Sequence, residues 1–354
     1  MQRNKSVDII RGIAILWIII YHVYAIAASY GWGPKHYVRG VQELVMYGGE
    51  IGVTLFFIMS GYGIYCSLHR SHEKGDFRYG GFLKKRCARI LPEYYVSLGI
   101  MLLFSGQAAM LSKAGAKHVL SHVFFVHNLF PETHGSINGV LWTMGTIVQF
   151  YLIAPLLYKA VKKNRYLALA MAVVITVASK YLLFHVFHQS NYFVYGRQLV
   201  SALDNFVIGM VIASFGDTLA KKLPLAARFG GLAASVAALV AYLFYTNHIT
   251  VYADSKTGYL WHSALALILG LAVLFAAALP VQGKALPAKA VLTVADHEYG
   301  IYLYHLVIIQ NTMALSSAFR TVTAKCLPLS MLAYILLSVA VGIVSSKCIS
   351  RAKH

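Results

Sequence analysis

The chain has 354 residues, of which 58% are apolar and only 12% are charged, and its formal net charge is +19. A soluble domain has about 45–50% apolar and about 25% charged residues, so the composition excludes a soluble globular enzyme, a disordered chain and a disulfide-stapled secreted domain. It predicts an all-α polytopic membrane protein, because each bilayer-spanning helix needs about 20 mostly apolar residues.

Ten apolar stretches are long enough to cross a bilayer as helices, and charged residues, prolines and glycines separate them. Residues 1–354 are therefore expected to form a single transmembrane domain with no appended soluble domain. The predicted spans are 8–28, 50–68, 93–112, 139–161, 166–186, 197–216, 228–246, 259–280, 296–316 and 328–347.

Lys and Arg residues are distributed unevenly between the two sides of this topology. One side carries 21 of them and the other carries 8, while Arg11 and Lys180 lie inside spans. Because cytoplasmic loops are rich in Lys and Arg, both termini are predicted to lie in the cytoplasm. The positive charge thus reflects topology and contact with anionic membrane lipids, and binding of nucleic acid is not expected.

The first span also has features of a secretory signal peptide. Arg3 and Lys5 precede an apolar run, and Ala25-Ile26-Ala27 is similar to a cleavage site. Against cleavage, the run contains Arg11 and His22 and is long enough to span the bilayer. We therefore favour a membrane helix.

Arg11 and His22 are ionisable groups inside a span, where each costs about 2.5–3.5 kcal/mol at the bilayer centre. Their separation of eleven residues places them about 20° apart around a helix and about 16 Å apart along it. They share one face without touching, which suits a long ligand that is charged at one end and reactive at the other. The alternative is that Arg11 reaches the cytoplasmic headgroups and His22 hydrogen-bonds a neighbouring helix.

A second cationic cluster precedes the third span. Arg86 and Arg89 are three residues apart, so both guanidinium groups can face the same way on a helix, and Pro92 fits the first turn of the next span. Such groups bind phosphate oxygens, although an ordinary cytoplasmic loop would have the same composition. A polyanionic ligand with a tail that enters the membrane, such as acyl-coenzyme A, would explain both clusters.

Four segments resemble, in order along the chain, motifs of the acyltransferase-3 membrane proteins, which acylate cell-surface glycans and some small molecules. Asp8–His22 is similar to the signature of that family on its first helix, an arginine and a histidine separated by ten residues. Gly52–Tyr62, which includes Ser60, resembles its second helix. Arg86–Pro92 resembles its Arg-x-x-Arg-x-x-Pro stretch, and Tyr299–His305 resembles its late Tyr-Leu-x-His motif.

The resemblance implies transfer of a short acyl group, most often acetyl, from cytosolic acyl-coenzyme A to a hydroxyl of an extracytoplasmic or lipid-linked glycan. The expected location is the bacterial cytoplasmic (inner) membrane, with acetyl-coenzyme A as co-substrate and no permanently bound cofactor. His22 would be the base or acyl relay. Arg11 belongs to the same catalytic signature and would serve donor binding together with Arg86 and Arg89. Donor-binding roles are also implied for Ser60, Trp142, Tyr151 and His305.

One segment departs from the family pattern. Residues 141–152 keep its Trp, Phe and Tyr, but Ile147 and Val148 stand where many members carry a glutamate. A buried base usually needs an orienting partner, and Asp204 is the one carboxylate well inside a predicted span. We expect it to partner His22 at a similar depth. The alternative is that Asp204 pairs for packing with one of its own neighbours, namely Arg197, Lys180 or Asn205.

Other functions and sites have weaker support. His118 and His122 have the i, i+4 spacing of metal ligands, but no Cys or carboxylate completes a site there, so no metal site is predicted. The main alternative function is a membrane transporter or exporter of a glycan or small molecule, because embedded Arg, His and Asp also mark substrate paths. The paired, Gly/Pro-broken half-helices common in transporters are not found. A membrane domain that binds a ligand without catalysis is the second alternative.

Overall fold

The computed structural model is predominantly helical in the part of the chain that it describes. The described residues are 4–31, 41–104, 108–189, 191–216, 218–246, 258–281, 283 and 285–351. They contain α-helices, a few short 3-10 segments and one π-helical segment, and no β-strand, which confirms the all-α class. The α-helices are α1 (Lys5–Ser29), α2 (Val41–Met46), α3 (Gly48–Glu73), α4 (Tyr79–Phe104), α5 (Ala116–Val123), α6 (Trp142–Lys163), α7 (Arg165–Tyr181), α8 (Tyr192–Tyr195), α9 (Leu203–Phe215), α10 (Thr218–Lys222), α11 (Leu225–Thr246), α12 (Gly258–Ala277), α13 (Leu286–Asp296), α14 (Glu298–Leu315), α15 (Ser317–Lys325) and α16 (Leu327–Arg351).

Seven helical segments of the described chain are long and apolar enough to cross a membrane, so a polytopic membrane protein is confirmed. At the other three predicted positions the chain is also helical, in α4, α9 and α14, but those helices do not meet both criteria. Ten spans and two cytoplasmic termini therefore stay predictions. The seven segments are Lys5–Ser29, Gly48–Glu73, Trp142–Lys163, Arg165–Val186, Leu225–Thr246, Gly258–Ala277 and Leu327–Ser350.

α4 begins earlier than predicted. The expected span starts at residue 93 with Pro92 in its first turn, whereas Pro92 lies in the middle of Tyr79–Phe104. Proline has no N–H to donate to the carbonyl four residues back, but Ile90 and Tyr94, two residues before and two residues after Pro92, are both buried. Their packing keeps the helix continuous across the missing bond. The cationic segment before Pro92 is consequently helical.

The described chain clusters into two compact units, and the prediction of a single domain stays a prediction. Unit 1 comprises Met1–Ile10, Val53–Arg86 and Met144–Gly283, and unit 2 comprises Arg11–Gly52, Cys87–Thr143 and Lys284–His354.

α9 lies at the centre of unit 1. Every residue from Leu203 to Ala213 is buried, so the helix is covered on all sides although it has only 13 residues. It packs on α7 and α12, and α12 packs on α11. The Phe206 ring of α9 stacks on Phe57 and Phe150, with ring centroids 4.7 and 4.0 Å apart. These aromatic contacts join α9 to α3 and α6.

α3 and α9 cross at very close range because each has a glycine at the contact. A methyl group on Gly61 would overlap the backbone carbonyl of Phe206, and one on Gly209 would overlap that of Ile58. Small residues let membrane helices approach this closely without a hydrophobic driving force between them. The two glycines therefore set the distance between α3 and α9.

In unit 2, α14 packs along α16. Gly342 of α16 faces the backbone of Ile301, which leaves no room for a side chain at the crossing. Glu93 of α4 is buried and accepts hydrogen bonds from the hydroxyls of Ser345 and Ser346 at 3.1 and 3.0 Å. A buried carboxylate thus ties α4 to α16.

Candidate active site

The histidines of two motifs meet inside unit 2. His22 lies on α1 and His305 on α14, with 3.2 Å between Nδ1 of His22 and Nε2 of His305. Their ring centroids are 5.0 Å apart. His305 is completely buried, whereas His22 is half-buried. The structure therefore places a second imidazole against His22 and leaves part of the His22 surface accessible.

Arg11 forms an ion pair with Glu298, through Nη2 and Oε1, and the two side chains are 27% and 13% exposed. Glu298 and His305 are seven residues apart, which is about two helical turns, so they share one face of α14. Arg11 and His22 follow one another in the same order on α1. The two helices consequently run in the same direction, with the ion pair near their N-terminal ends and the histidine pair further along.

A hydrogen-bond network holds His305 in place. Its Nδ1 is 2.8 Å from the backbone carbonyl oxygen of Tyr302. The Tyr302 hydroxyl donates to the carbonyl oxygen of Val140 at 2.9 Å and lies 2.9 Å from the hydroxyl of Thr143. These hydrogen bonds join the chain at the start of α6 to Tyr302, and the Tyr302 carbonyl in turn orients the imidazole ring of His305.

A cationic cavity of about 280 Å³ lies in unit 1, between the end of α3 and the start of α4. Arg86 is held there by a 2.5 Å hydrogen bond from Nη2 to the hydroxyl of Ser67. The lining also includes Asp76, which accepts a 2.6 Å hydrogen bond from Ser71, and this bond lowers the pKa of the carboxyl. The excess of cations suits a polyanionic ligand. The cationic side chains that line the cavity are Arg70, Lys74, Arg78, Lys85 and Arg86.

Asp204 lies at the start of α9 in unit 1 and is 1% exposed. Its backbone N–H donates to the hydroxyl of Thr176 at 3.1 Å, and its Oδ1 accepts the N–H of Asn205 at 2.8 Å. The buried side chain of Lys180 interacts with it electrostatically. Two of these neighbours, Lys180 and Asn205, are among the packing partners expected if Asp204 does not pair with His22. The pairing of Asp204 with His22 stays a prediction.

The remaining predicted site residues are spread over both units. Ser60 and Tyr151 are half-buried on α3 and α6 of unit 1. In unit 2, Trp142 is buried at the start of α6 and stacks on His134, with 5.7 Å between ring centroids. Arg89 is exposed on α4, one turn after the cavity residue of the same motif. Their donor-binding roles stay predictions.

Two carboxylates of unit 2 were not predicted from the sequence, namely the half-buried Glu298 and the buried Glu93. Each stands near the beginning of a predicted span, 296–316 or 93–112, where a charge indicates merely that a helix is entering the membrane. For Glu298 the sequence offers one signal, its helical register. Glu298 lies seven residues before His305, which places the two side chains on the same face of a helix.

Two buried histidines, one on α5 and one in the short 3-10 segment that follows it, stack on each other. The rings of His122 and His127 are 4.0 Å apart and nearly parallel. Nδ1 of His122 donates to the carbonyl of His118 at 2.8 Å, and within the described chain its buried Nε2 has no hydrogen-bond partner. Burial lowers the pKa of His122 to about 3, with the neighbouring His127 as a second cause. The His122 ring is therefore neutral near pH 7. No group of three or more His, Cys, Asp or Glu is arranged to hold a metal ion in the described residues.

Comparison with known proteins identifies the family. Residues 4–347 match the acyltransferase-3 family, described as an acyltransferase domain. No solved structure matches the chain.

Curated relatives match over part of their length. The regulator of hypoxia-inducible factor 1 from Caenorhabditis elegans is 24% identical over 189 residues, which cover 49% of this chain and 37% of that protein. The peptidoglycan O-acetyltransferase OatA from Listeria monocytogenes is 27% identical over 166 residues, which cover 42% of this chain and 23% of OatA. The match thus spans less than two fifths of either relative. Because the family match extends over nearly the whole chain, this integral membrane protein belongs to the acyltransferase-3 family.

Proposed function

We propose that the protein is a membrane O-acyltransferase that moves a short acyl group, acetyl in the first instance, from cytosolic acyl-coenzyme A to a hydroxyl of an extracytoplasmic or lipid-linked glycan. The proposed location is the bacterial inner membrane. The observation that carries the proposal is the half-buried imidazole of His22, held against His305 in unit 2. The name of the relative OatA, a peptidoglycan O-acetyltransferase, supports the choice of acyl group and acceptor.

In this function His22 acts as a general base. A sugar hydroxyl is a poor nucleophile until its proton is removed, and a neutral imidazole removes it near pH 7. The hydroxyl oxygen then bonds to the thioester carbonyl carbon, the carbon–sulfur bond breaks, and the coenzyme A sulfur takes the proton from the His22 imidazolium. The products are the glycan ester and free coenzyme A, and His22 returns to its neutral form.

The cationic cavity of unit 1 is the proposed site for the phosphate groups of the donor. Acyl-coenzyme A has several phosphate charges, and the cavity presents five cationic side chains around about 280 Å³. A guanidinium group binds phosphate oxygens through paired N–H donors. Arg86, which its bond to Ser67 already orients, is the principal donor-binding residue of this cavity.

The purified protein is reconstituted into lipid membranes, and the test measures acetyl transfer from labelled acetyl-coenzyme A to surface polysaccharide. We expect His22→Ala to reduce turnover at least about 100-fold, the usual contribution of general base catalysis. Arg86→Ala should mainly raise the KM for acetyl-coenzyme A. Lys221→Ala, which removes a cation of α10 outside the cavity lining, is the matched control.

Full transfer by His22→Ala would contradict the assignment of the base. Movement of the glycan across the membrane without acylation would support a transporter instead. Saturable binding of acetyl-coenzyme A without turnover would indicate a ligand-binding domain.

A further inference from the structure

The hydrogen bonds of His305 determine which of its nitrogens carries the proton. Nδ1 of His305 lies 2.8 Å from the carbonyl oxygen of Tyr302. A carbonyl oxygen can only accept, so Nδ1 must be the donor. The neutral imidazole then has its lone pair on Nε2, the atom that faces His22.

The same reasoning determines the proton position on His22. Its Nδ1 lies 3.0 Å from the carbonyl oxygen of Ile18 and 3.2 Å from Nε2 of His305. Both neighbours are acceptors, so Nδ1 of His22 must carry the hydrogen and share it between them. In neutral His22 the lone pair is therefore on Nε2.

We propose that His305 is a positioning residue that fixes the tautomer and the ring orientation of His22, so that Nε2 of His22 is the atom that accepts the substrate proton. The proposal rests on the proposed function, in which His22 is the base. Outer partners of this kind commonly fix the tautomer and orientation of a functional histidine.

The arrangement also suits the protonated state of His22. When Nε2 accepts a proton, Nδ1–H already points at two acceptors, so the imidazolium is stabilised without any movement of the ring. A carboxylate could accept the same bond, but it would bring another charge into the membrane, where charges are costly. The buried imidazole of His305 performs this role without that charge.

The anchoring of His305 makes the geometry rigid. Tyr302 supplies the carbonyl that orients His305, and its own hydroxyl bonds the carbonyl of Val140 at 2.9 Å. His305 is 0% exposed, so its ring is surrounded on all sides. Since it cannot turn to solvent, it offers His22 the same acceptor throughout the reaction.

The test compares three variants of the full-length protein in lipid nanodiscs. His305→Phe removes the acceptor, while His305→Gln supplies a side-chain oxygen that can accept the His22 bond. Ile309→Ala, one helical turn further along α14, removes buried volume without removing a hydrogen bond and is the packing control. Each variant is assayed for acetyl transfer from labelled acetyl-coenzyme A to surface polysaccharide, and the tautomer of His22 is read from the 15N NMR signals of its ring.

We expect His305→Phe to lower kcat about 100-fold, the upper range for such partners, with the KM for acetyl-coenzyme A within about twofold of wild type. His305→Gln should recover most of that loss, and Ile309→Ala should have near-normal kcat per folded protein. The His22 spectrum should show a protonated Nδ1 and an unprotonated Nε2 in the wild type and in His305→Gln, and a mixture of tautomers in His305→Phe.

Wild-type activity in His305→Phe together with an unchanged His22 spectrum would overturn the positioning role and leave the proposed function intact. Equal losses in the Phe and Gln variants with an unchanged spectrum would also overturn it, because His305 would then act only in packing. Failure of the proposed function is a separate result, namely full transfer by His22→Ala, and the NMR measurement does not depend on activity.

Discussion

The Arg11 guanidinium group is associated with two roles. Family resemblance assigns it to donor binding, and the structure pairs it with Glu298. A guanidinium group has five N–H donors in a fixed arrangement, so one carboxylate leaves it further hydrogen-bonding capacity. The two roles are therefore compatible, and an exchange of charges can separate them.

Glu298→Gln is expected to lower the free energy of unfolding by roughly 2 kcal/mol, because it leaves the partly buried charge of Arg11 without its carboxylate. The double variant Arg11→Glu/Glu298→Arg restores the pair with reversed polarity and should recover the Tm measured in detergent. Its KM for acetyl-coenzyme A should stay raised about tenfold, since the guanidinium has moved to α14.

The control for this exchange is Lys289→Gln, which changes an exposed charge of the same unit. A double variant with a recovered Tm and a wild-type KM would show that Arg11 serves only the ion pair. A double variant that fails to recover its Tm would show that Arg11 and Glu298 do not stabilise each other.

Individual site residues could be predicted only where local spacing carries the information. Eleven residues of an α-helix place Arg11 and His22 on one face whatever surrounds them. The partner of His22 could not be derived in this way, because His305 is 283 residues away along the chain. A contact over that separation depends on which helices are neighbours, and hydrophobic periodicity does not encode that.

For the packing of helices, the close crossing of α3 and α9 predicts that an added methyl group at the contact lowers stability. Gly209→Ala should lower the free energy of unfolding of unit 1 by about 3 kcal/mol, the upper part of the range for overpacking, because the added methyl group would overlap the backbone of Ile58. The measurement is thermal denaturation in detergent.

Gly230→Ala is the matched control for this crossing. Gly230 lies inside α11, and a methyl group there would meet no atom within 4 Å. Alanine favours a helix over glycine by about 1 kcal/mol, so this variant should be slightly more stable than the wild type. Equal thermal stability of the Gly209→Ala and Gly230→Ala variants would contradict the close crossing of α3 and α9.

Helices that are uniformly apolar could be predicted well from the sequence, whereas short or interrupted helices could not. α12 follows its predicted span closely because apolar composition alone defines it. α4 continues through Pro92 because tertiary packing outweighs the missing hydrogen bond. α9 is short for a span, and its complete burial depends on neighbours that the sequence does not specify.

For the whole molecule, composition and charge predict a class and an orientation but no spatial arrangement. The apolar fraction suffices to predict a polytopic helical protein, and the seven helical segments of the described chain that are long and apolar enough to cross a membrane confirm that class. The distribution of Lys and Arg predicts which side of the membrane each loop faces. The division into two compact units depends on long-range contacts, which no local pattern in the sequence indicates.

The predicted orientation can be tested with two native cysteines. Cys326 directly precedes α16 and Cys348 lies near its end, and both are exposed. Their separation of 22 residues corresponds to about 33 Å of helix, which exceeds the roughly 30 Å of the bilayer core. If α16 spans the membrane, the two thiols lie on opposite sides of it.

With both termini in the cytoplasm, a membrane-impermeant maleimide should label Cys326 but not Cys348 in intact spheroplasts, and both after permeabilisation. The labelling uses variants in which one of these cysteines remains and the other three are serine, with acetyl transfer as the check on folding. Labelling of Cys348 alone in intact spheroplasts would reverse the topology. Because that result would also place Arg11 near the outer surface, the proposed cytosolic donor could not reach the Arg11 end of α1 from the cytoplasm.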